Sequence, residues 1–225
     1  SEAKKNGATL LPIDSEHNAI FQCLPHAYTA GQDIKGLRRL ILTCSGGPFR
    51  TWSIDRMSKA TPEQAVIHPN WSMGKKISVD SATLMNKGLE LIEATYLFSV
   101  DESKIDVVIH PESKVHSLVE FIDGSILAQL GNPDMRIPIA NVLGFPSRLA
   151  IDVQQLSLAQ IGSLNFEVVN NEQFPALSLA RWASRQGEDR PIILNAANEV
   201  AVNAFLSGKI GFNDITVLVS ECLNQ

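Results

Sequence analysis

A chain of 225 residues that is 44% hydrophobic with a net charge of -5 is long enough for one large domain or two modest ones around a packed core. Its 19 basic and 24 acidic residues form no long run of one sign, which argues against nucleic acid or an anionic membrane as a partner, and no apolar run nears the roughly 20 residues of a membrane helix. Ser1 to Gly7 are polar, without a signal core, so a cytoplasmic protein is expected; Cys23, Cys44 and Cys222, odd in number and far apart, suit buried thiols better than disulfides or a metal set.

In chain order, Thr9 to Ile13 predicts a short strand running into the charged turn Asp14-Ser15-Glu16 and then a helix from His17 to Leu24. Leu37 to Thr43 predicts a second strand, closed by Ser45-Gly46-Gly47-Pro48. Beside that loop, Cys44 has a reactive thiol as its alternative role. Thr61-Pro62-Glu63-Gln64 combines an N-cap threonine with proline in the first helical position, so a short helix begins there and ends before Pro69.

His68 to Gly74 is turn-rich yet carries Trp71 and Met73. These either plug a gap in the core or belong to a lid hinged in part at Gly74. From Asp80 or Ser81 to Ser99 the pattern is helical, with Met85, Leu89, Ile92 and Tyr96 as one buried stripe and Asn86, Glu90 and Glu93 at its margin. Ile105 to Ile109 predicts a strand, and His116 to Ile122 with Ser125 to Leu130 a hairpin turning at Asp123-Gly124. Past Pro146 the periodicity weakens, then helices follow at Ala176 to Gln186 and Asn195 to Leu206, with Gly208 as a stop. The expected fold is α/β, of the α+β kind. Residues 1–147 would form a mixed sheet with helices packed on it, 148–172 a linker, and 173–225 an incomplete helical domain.

The chemistry-bearing residues suggest a cation and an anion site. Asp14 and Glu16, two apart, would point the same way in an extended segment, their Cα atoms about 6.5 Å apart, although taken alone they are better explained as a solvated turn ahead of a helix, with acids placed to suit its dipole. Carboxylates without a histidine or cysteine cluster favour Mg2+ or Mn2+, and Glu90 or Glu93 would supply a third. An anion has two candidate cradles: the Ser45-Gly46-Gly47 loop, and the start of the long helix, where Ser81 lies among unpaired amides ahead of Asn86 and Lys87. Residues alone support a metal-assisted site for a small phosphorylated metabolite.

The segments Leu10 to Asn18, Ser45 to Arg50, His68 to Gly74 and Val79 to Glu90 resemble the 1-deoxy-D-xylulose 5-phosphate reductoisomerase family in order and spacing, and Leu130 to Arg136 and Leu194 to Glu199 extend the match. That resemblance implies an NADPH-dependent rearrangement and reduction of a pentose phosphate, giving 2-C-methyl-D-erythritol 4-phosphate for isoprenoid synthesis. It also implies that Asp14, Glu16 and Glu90 hold the Mg2+ or Mn2+, which as a Lewis acid assists retro-aldol and aldol steps. Ser15 would bind the same end of the substrate. Ser45, Ser81, Asn86 and Lys87 would hold its phosphate and hydroxyls, His68, Trp71 and Met73 would belong to a lid, and Gly74 would touch the cofactor. Glu93 would play a supporting part outside the ligand set.

Two departures from the family's pattern stand out. Glu112 and Lys114 replace an amide and an apolar residue, which puts the packing of that strand in question. No Gly-x-Gly-x-x-Gly turn occurs, so the dinucleotide domain would precede Ser1, and the chain would stop before its helical domain is complete. The fragment is then expected to be inactive alone, and to pair as a homodimer through its sheet. Rival functions are another metal-dependent phosphosugar aldolase or isomerase and a non-catalytic phosphometabolite-binding module.

Overall fold

The computed structural model describes residues 2–25 and 27–225, apart from the side chain of Lys4. The helices are α1 (Glu2–Lys5), α2 (Ser15–Cys23), α3 (Ile54–Met57), α4 (Pro62–Ala65), α5 (Lys75–Thr83), α6 (Met85–Phe98), α7 (Arg136–Gly144), α8 (Leu158–Ile161), α9 (Pro175–Gln186), α10 (Arg190–Leu206) and α11 (Asp214–Leu223). The strands are β1 (Leu37–Cys44), β2 (Ile105–Ile109), β3 (Val115–Phe121), β4 (Ile126–Leu130) and β5 (Glu167–Val168). They form one mixed five-stranded sheet in the order β4-β3-β1-β2-β5, as the composition of alternating strands and helices predicts. Two compact units emerge: residues up to Thr43 with Glu93–Glu167, and Cys44–Ile92 with Val168–Gln225.

The first unit is built on the sheet. β3 lies antiparallel to β1 and to β4, and the β3–β4 turn uses Gly124 at φ 87 while the Asp123 side chain accepts from Ser125 N–H. Helix α2 packs across β3 and β4, burying His17, Ile20 and Phe21. The segment expected as a first strand, Thr9 to Ile13, is irregular instead. Pro12 has no N–H to give a ladder, and its carbonyl accepts from the Asn18 side chain at 2.9 Å.

Glu112 and Lys114 find partners rather than disturbing their strand end. Asn165 donates to Glu112 through both its amide side chain and its main-chain N–H, and Lys114 Nζ donates to Asn132 Oδ1 at 2.8 Å. His110, fully buried, accepts Lys114 N–H at Nε2, lies 2.8 Å from Asn165 O at Nδ1, and stacks on Phe166.

The second unit is helical. Met85 and Ile92 from α6 join Ala176, Ala180, Ala183, Leu194, Val219 and Leu223 in one core. Gly88 permits the close approach of α6 to α9, since a Cβ there would lie 2.6 Å from Ala180 Cβ. The single helix expected from Asp80 or Ser81 to Ser99 is two: it starts earlier, at Lys75, and breaks at Leu84, whose φ is 62. Leu84 takes this left-handed conformation although a side chain there costs about 1–2 kcal/mol. The break frees Thr83 Oγ1 to accept Met85 N–H at 3.2 Å, capping the new helix.

The burial of α6 also differs from the expected stripe. Tyr96 is 67% exposed, while Lys87, Glu90, Leu91, Ala94 and Phe98 are buried, so Glu90 lies inside the buried face rather than on its margin. Of the thiols only Cys23 is buried, and burial pushes it up to about 11; Cys44 and Cys222 are half-buried, against the expectation for all three. Among the described residues no helix is long and apolar enough to cross a membrane.

Candidate active site

In the first unit, the N-terminus of α2 gathers the acidic turn. Asp14 is the N-cap, accepting Glu16 N–H at 3.1 Å, and Ser15 Oγ donates to Glu16 Oε2 at 2.6 Å. The two carboxylates are therefore set by a helix start, not by the side-to-side alternation of a strand. Helix polarity favours negative charge at this position, which suits two carboxylates that would face a cation. Buried His17 places Nδ1 3.7 Å from Asp14 and 3.6 Å from Glu93, which gives Glu93 a link to the acidic turn through an imidazole. Asn18 ties the turn down further, donating to Pro12 O and to Asn141 Oδ1.

In the second unit, α6 carries a buried polar triplet. Glu90, 4% exposed, accepts from Asn86 Nδ2 at one oxygen and from Lys87 Nζ at the other, both at 2.5 Å. The spacings i,i+3 and i,i+4 put all three groups on one helical face. Lys87 is only 3% exposed, so an ammonium and a carboxylate share a dry environment in which neither is stable without a partner. The break at Leu84 makes Asn86 and Lys87 first-turn residues of α6. Ser81, expected among unpaired amides, instead lies in the last turn of α5, where amides bond back along the helix.

The second expected cradle, Ser45-Gly46-Gly47, sits close to Ser81. Gly46 and Gly47 have φ of 83 and 66, and a Cβ on Gly47 would fall 2.6 Å from the Ser81 carbonyl oxygen. Ser45 Oγ accepts Gly47 N–H at 3.1 Å and lies 2.9 Å from His68 Nε2. His68 Nδ1 in turn accepts the main-chain N–H groups of Asn70 and Trp71. Ile67 to Gly74 forms neither helix nor strand, and Trp71 and Met73 are half-buried, outside the buried core. Gly74 is the N-cap of α5 at φ -63, a conformation open to any residue, and a Cβ there would meet nothing within 4 Å.

One anchor had no signal in the pattern of the chain. Asp80, 2% exposed, accepts from Asn198 Nδ2 and pairs with Lys76, which also reaches Glu199 at 2.7 Å, fastening α5 to α10. Burial holds the Asp80 carboxyl above its ordinary 3.8, outweighing the opposing pull of Lys76 and Asn198. A carboxyl raised on folding contributes stability below its unfolded pKa and loses it as pH rises through its folded value. Urea melts at stepped pH should therefore show the stability of the parent relative to Asp80→Asn declining as pH climbs from 3.8 through the higher folded value. A constant or rising difference would contradict this.

Models of known families match most of the chain. The 1-deoxy-D-xylulose 5-phosphate reductoisomerase C-terminal domain matches residues 10–98. The DXP reductoisomerase C-terminal domain matches residues 130–225. The 1-deoxy-D-xylulose 5-phosphate reductoisomerases of Pseudomonas syringae pv. syringae (strain B728a) and Stutzerimonas stutzeri (strain A1501) are 57% and 56% identical over 222 residues, covering 99% of this chain and 56% of each relative. A crystal structure of DOX-P reductoisomerase in complex with NADPH, fosmidomycin and magnesium superposes with a TM-score of 0.94 at 55% identity. The Zymomonas mobilis enzyme in complex with NADPH gives 0.89 at 50%. Each covers 99% of this chain, which amounts to 56% of the neighbour's own chain. The chain thus spans about half the length of the relatives it matches. With both of its units matched by the same family, the chain belongs to the 1-deoxy-D-xylulose 5-phosphate reductoisomerase family.

Proposed function

We propose that this chain carries the metal and substrate site for a divalent-metal- and NADPH-dependent isomerisation and reduction of 1-deoxy-D-xylulose 5-phosphate to 2-C-methyl-D-erythritol 4-phosphate. The observation that carries this is the buried Glu90, whose carboxylate oxygens accept from Asn86 and Lys87 on α6. Asp14, Glu16 and Glu90 would each lend one oxygen to a single cation. The donor set fits: three hard carboxylate oxygens suit Mg2+ or Mn2+. Magnesium is present in the DOX-P reductoisomerase complexes that superpose on the chain. When bound, the ion supplies a Lewis acid to the carbonyl and neighbouring hydroxyl oxygens of the sugar.

The chain's own residues would do the rest. Ser15, hydrogen-bonded to Glu16, orients that carboxylate and meets the same end of the sugar. Ser45, Ser81, Asn86 and Lys87 would bind the phosphate and the hydroxyls between, with Lys87 as the counter-charge. His68, Trp71 and Met73 would close over the ligand and exclude water from an aldehyde, and the open space beside Gly74 would admit the nicotinamide. NADPH itself would be held mainly by residues outside this chain, so the chain alone should turn over little of it. Residues 1–147 would bear the site, 148–172 the connection and 173–225 part of a helical domain, in a cytoplasmic homodimer.

A thermal and urea stability series with Mg2+ tests the reading without any need for turnover. At a hundredfold excess over its dissociation constant the ion should stabilise the 225-residue chain by about 2.7 kcal/mol. Asp14→Asn should abolish that gain. Indifference of the parent to both Mg2+ and Mn2+ would sink the metal site, and robust NADPH oxidation by this chain with substrate and Mn2+ would overturn its dependence on the rest of the protein.

A further inference from the structure

The phosphate site proposed above leaves open what arms its hydroxyl, and the geometry around His68 answers that; the inference rests on that site. Nδ1 of His68 accepts main-chain N–H groups from Asn70 at 3.1 Å and from Trp71 at 2.9 Å. A ring nitrogen that accepts carries no hydrogen of its own, so the neutral imidazole keeps its proton on Nε2. Nε2 stands 2.9 Å from Ser45 Oγ and therefore donates to it.

Ser45 Oγ also accepts Gly47 N–H at 3.1 Å. Both lone pairs of the hydroxyl are thereby engaged, and its own hydrogen meets no acceptor among the described residues, although Ser45 is only 9% exposed. An unspent buried donor is costly until an acceptor arrives. A phosphate oxygen is such an acceptor, and a charged one forms the stronger bond.

We propose that His68 is a positioning residue for the phosphate group and acts through Ser45: its Nε2–H turns the hydroxyl so that the serine hydrogen points to the incoming anion. The same tautomer fixes the Trp71 loop through Nδ1. One imidazole thus holds the closing loop and the anion-binding hydroxyl together, and neither bond survives in the other tautomer.

The test is a double-mutant cycle with inorganic phosphate as the probe, titrated into the 225-residue chain. Ser45→Ala should weaken phosphate binding about tenfold to a hundredfold, and His68→Gln about tenfold. The double variant should bind no more weakly than Ser45→Ala alone, because the histidine has nothing left to act through. Losses that add would place His68 on the anion directly and overturn the proposal. Phosphate binding that ignores Ser45→Ala would instead overturn the anion site on which the proposal stands. Nitrogen-15 spectra of the unaltered protein check the tautomer without any variant: a bare Nδ1 with a protonated Nε2 supports it, and the reverse refutes it.

Discussion

Glu90→Gln should lower Mg2+ affinity at least about a hundredfold and destabilise the folded chain by about 3–5 kcal/mol. The two effects have separate causes. The first follows from removing one of the three proposed carboxylate ligands. The second follows from Lys87, whose ammonium is buried and has its 2.5 Å hydrogen bond to Glu90 as its compensation on α6. A glutamine can still offer one oxygen, but its amide nitrogen cannot accept from either Asn86 or Lys87. Adding Lys87→Met to Glu90→Gln should recover most of the stability and none of the metal affinity, because replacing a buried pair costs far less than breaking one. Calorimetry with Mg2+ and urea midpoints on the three proteins would separate these effects. A Glu90→Gln variant as stable as the parent would show that Lys87 does not depend on Glu90.

Gly47→Ala should cost about 2–4 kcal/mol, the sum of a left-handed backbone and an overpacked contact. Its φ of 66 disfavours any side chain, and the new Cβ would press against Ser81 O at 2.6 Å and Ala82 Cα at 3.0 Å, main-chain atoms that cannot rotate away. Relief requires the Ser45 loop to lift from α5, so phosphate affinity should fall with stability. Gly74→Ala is the contrasting case: an ordinary φ and an open Cβ position predict a change within about 0.5 kcal/mol. Denaturation midpoints for the pair decide it, and equal losses would mean that the loop's close approach is not what Gly47 maintains.

The elements that could be read from residue order were those with a local chemical signature. Thr61-Pro62-Glu63-Gln64 does form a capping box at the head of α4, and Asp123-Gly124 does turn the β3–β4 hairpin, because caps and turns are decided within a few residues. The break at Leu84 had no such signature. Leucine is a good helix former, and only packing that buries it fully holds it at φ 62. Hydrophobic periodicity likewise favoured Tyr96 over Leu91 and Phe98 as core, since a stripe drawn at one spacing cannot see that α6 is covered on a broader face.

The candidate site residues were legible as residue types, and their local settings were not. Of the two settings that Asp14 and Glu16 allow, an extended segment and a turn ahead of a helix, the structure has the second, with Asp14 as the N-cap of α2. Ser81 reads as part of a helix start and lies in the last turn of α5, ahead of the break, while Asn86 and Lys87 stand in the first turn of α6. Asp80 and Asn198 lie far apart in the sequence, and no periodicity joins them; only the folded second unit does.

The strap that follows α7 in the first unit is tied down along its length. From Asp152 to Phe166 it has little regular structure of its own, yet its carbonyls are hooked one after another: Asp152 by Arg136, Gln154 by Asn132, Asn165 beside His110. A ribbon stitched at its carbonyls cannot swing as a free tether, and it should exchange its amides and resist chymotrypsin, at Leu156, Leu158, Leu164 and Phe166, in step with the strand ends that hold the stitches.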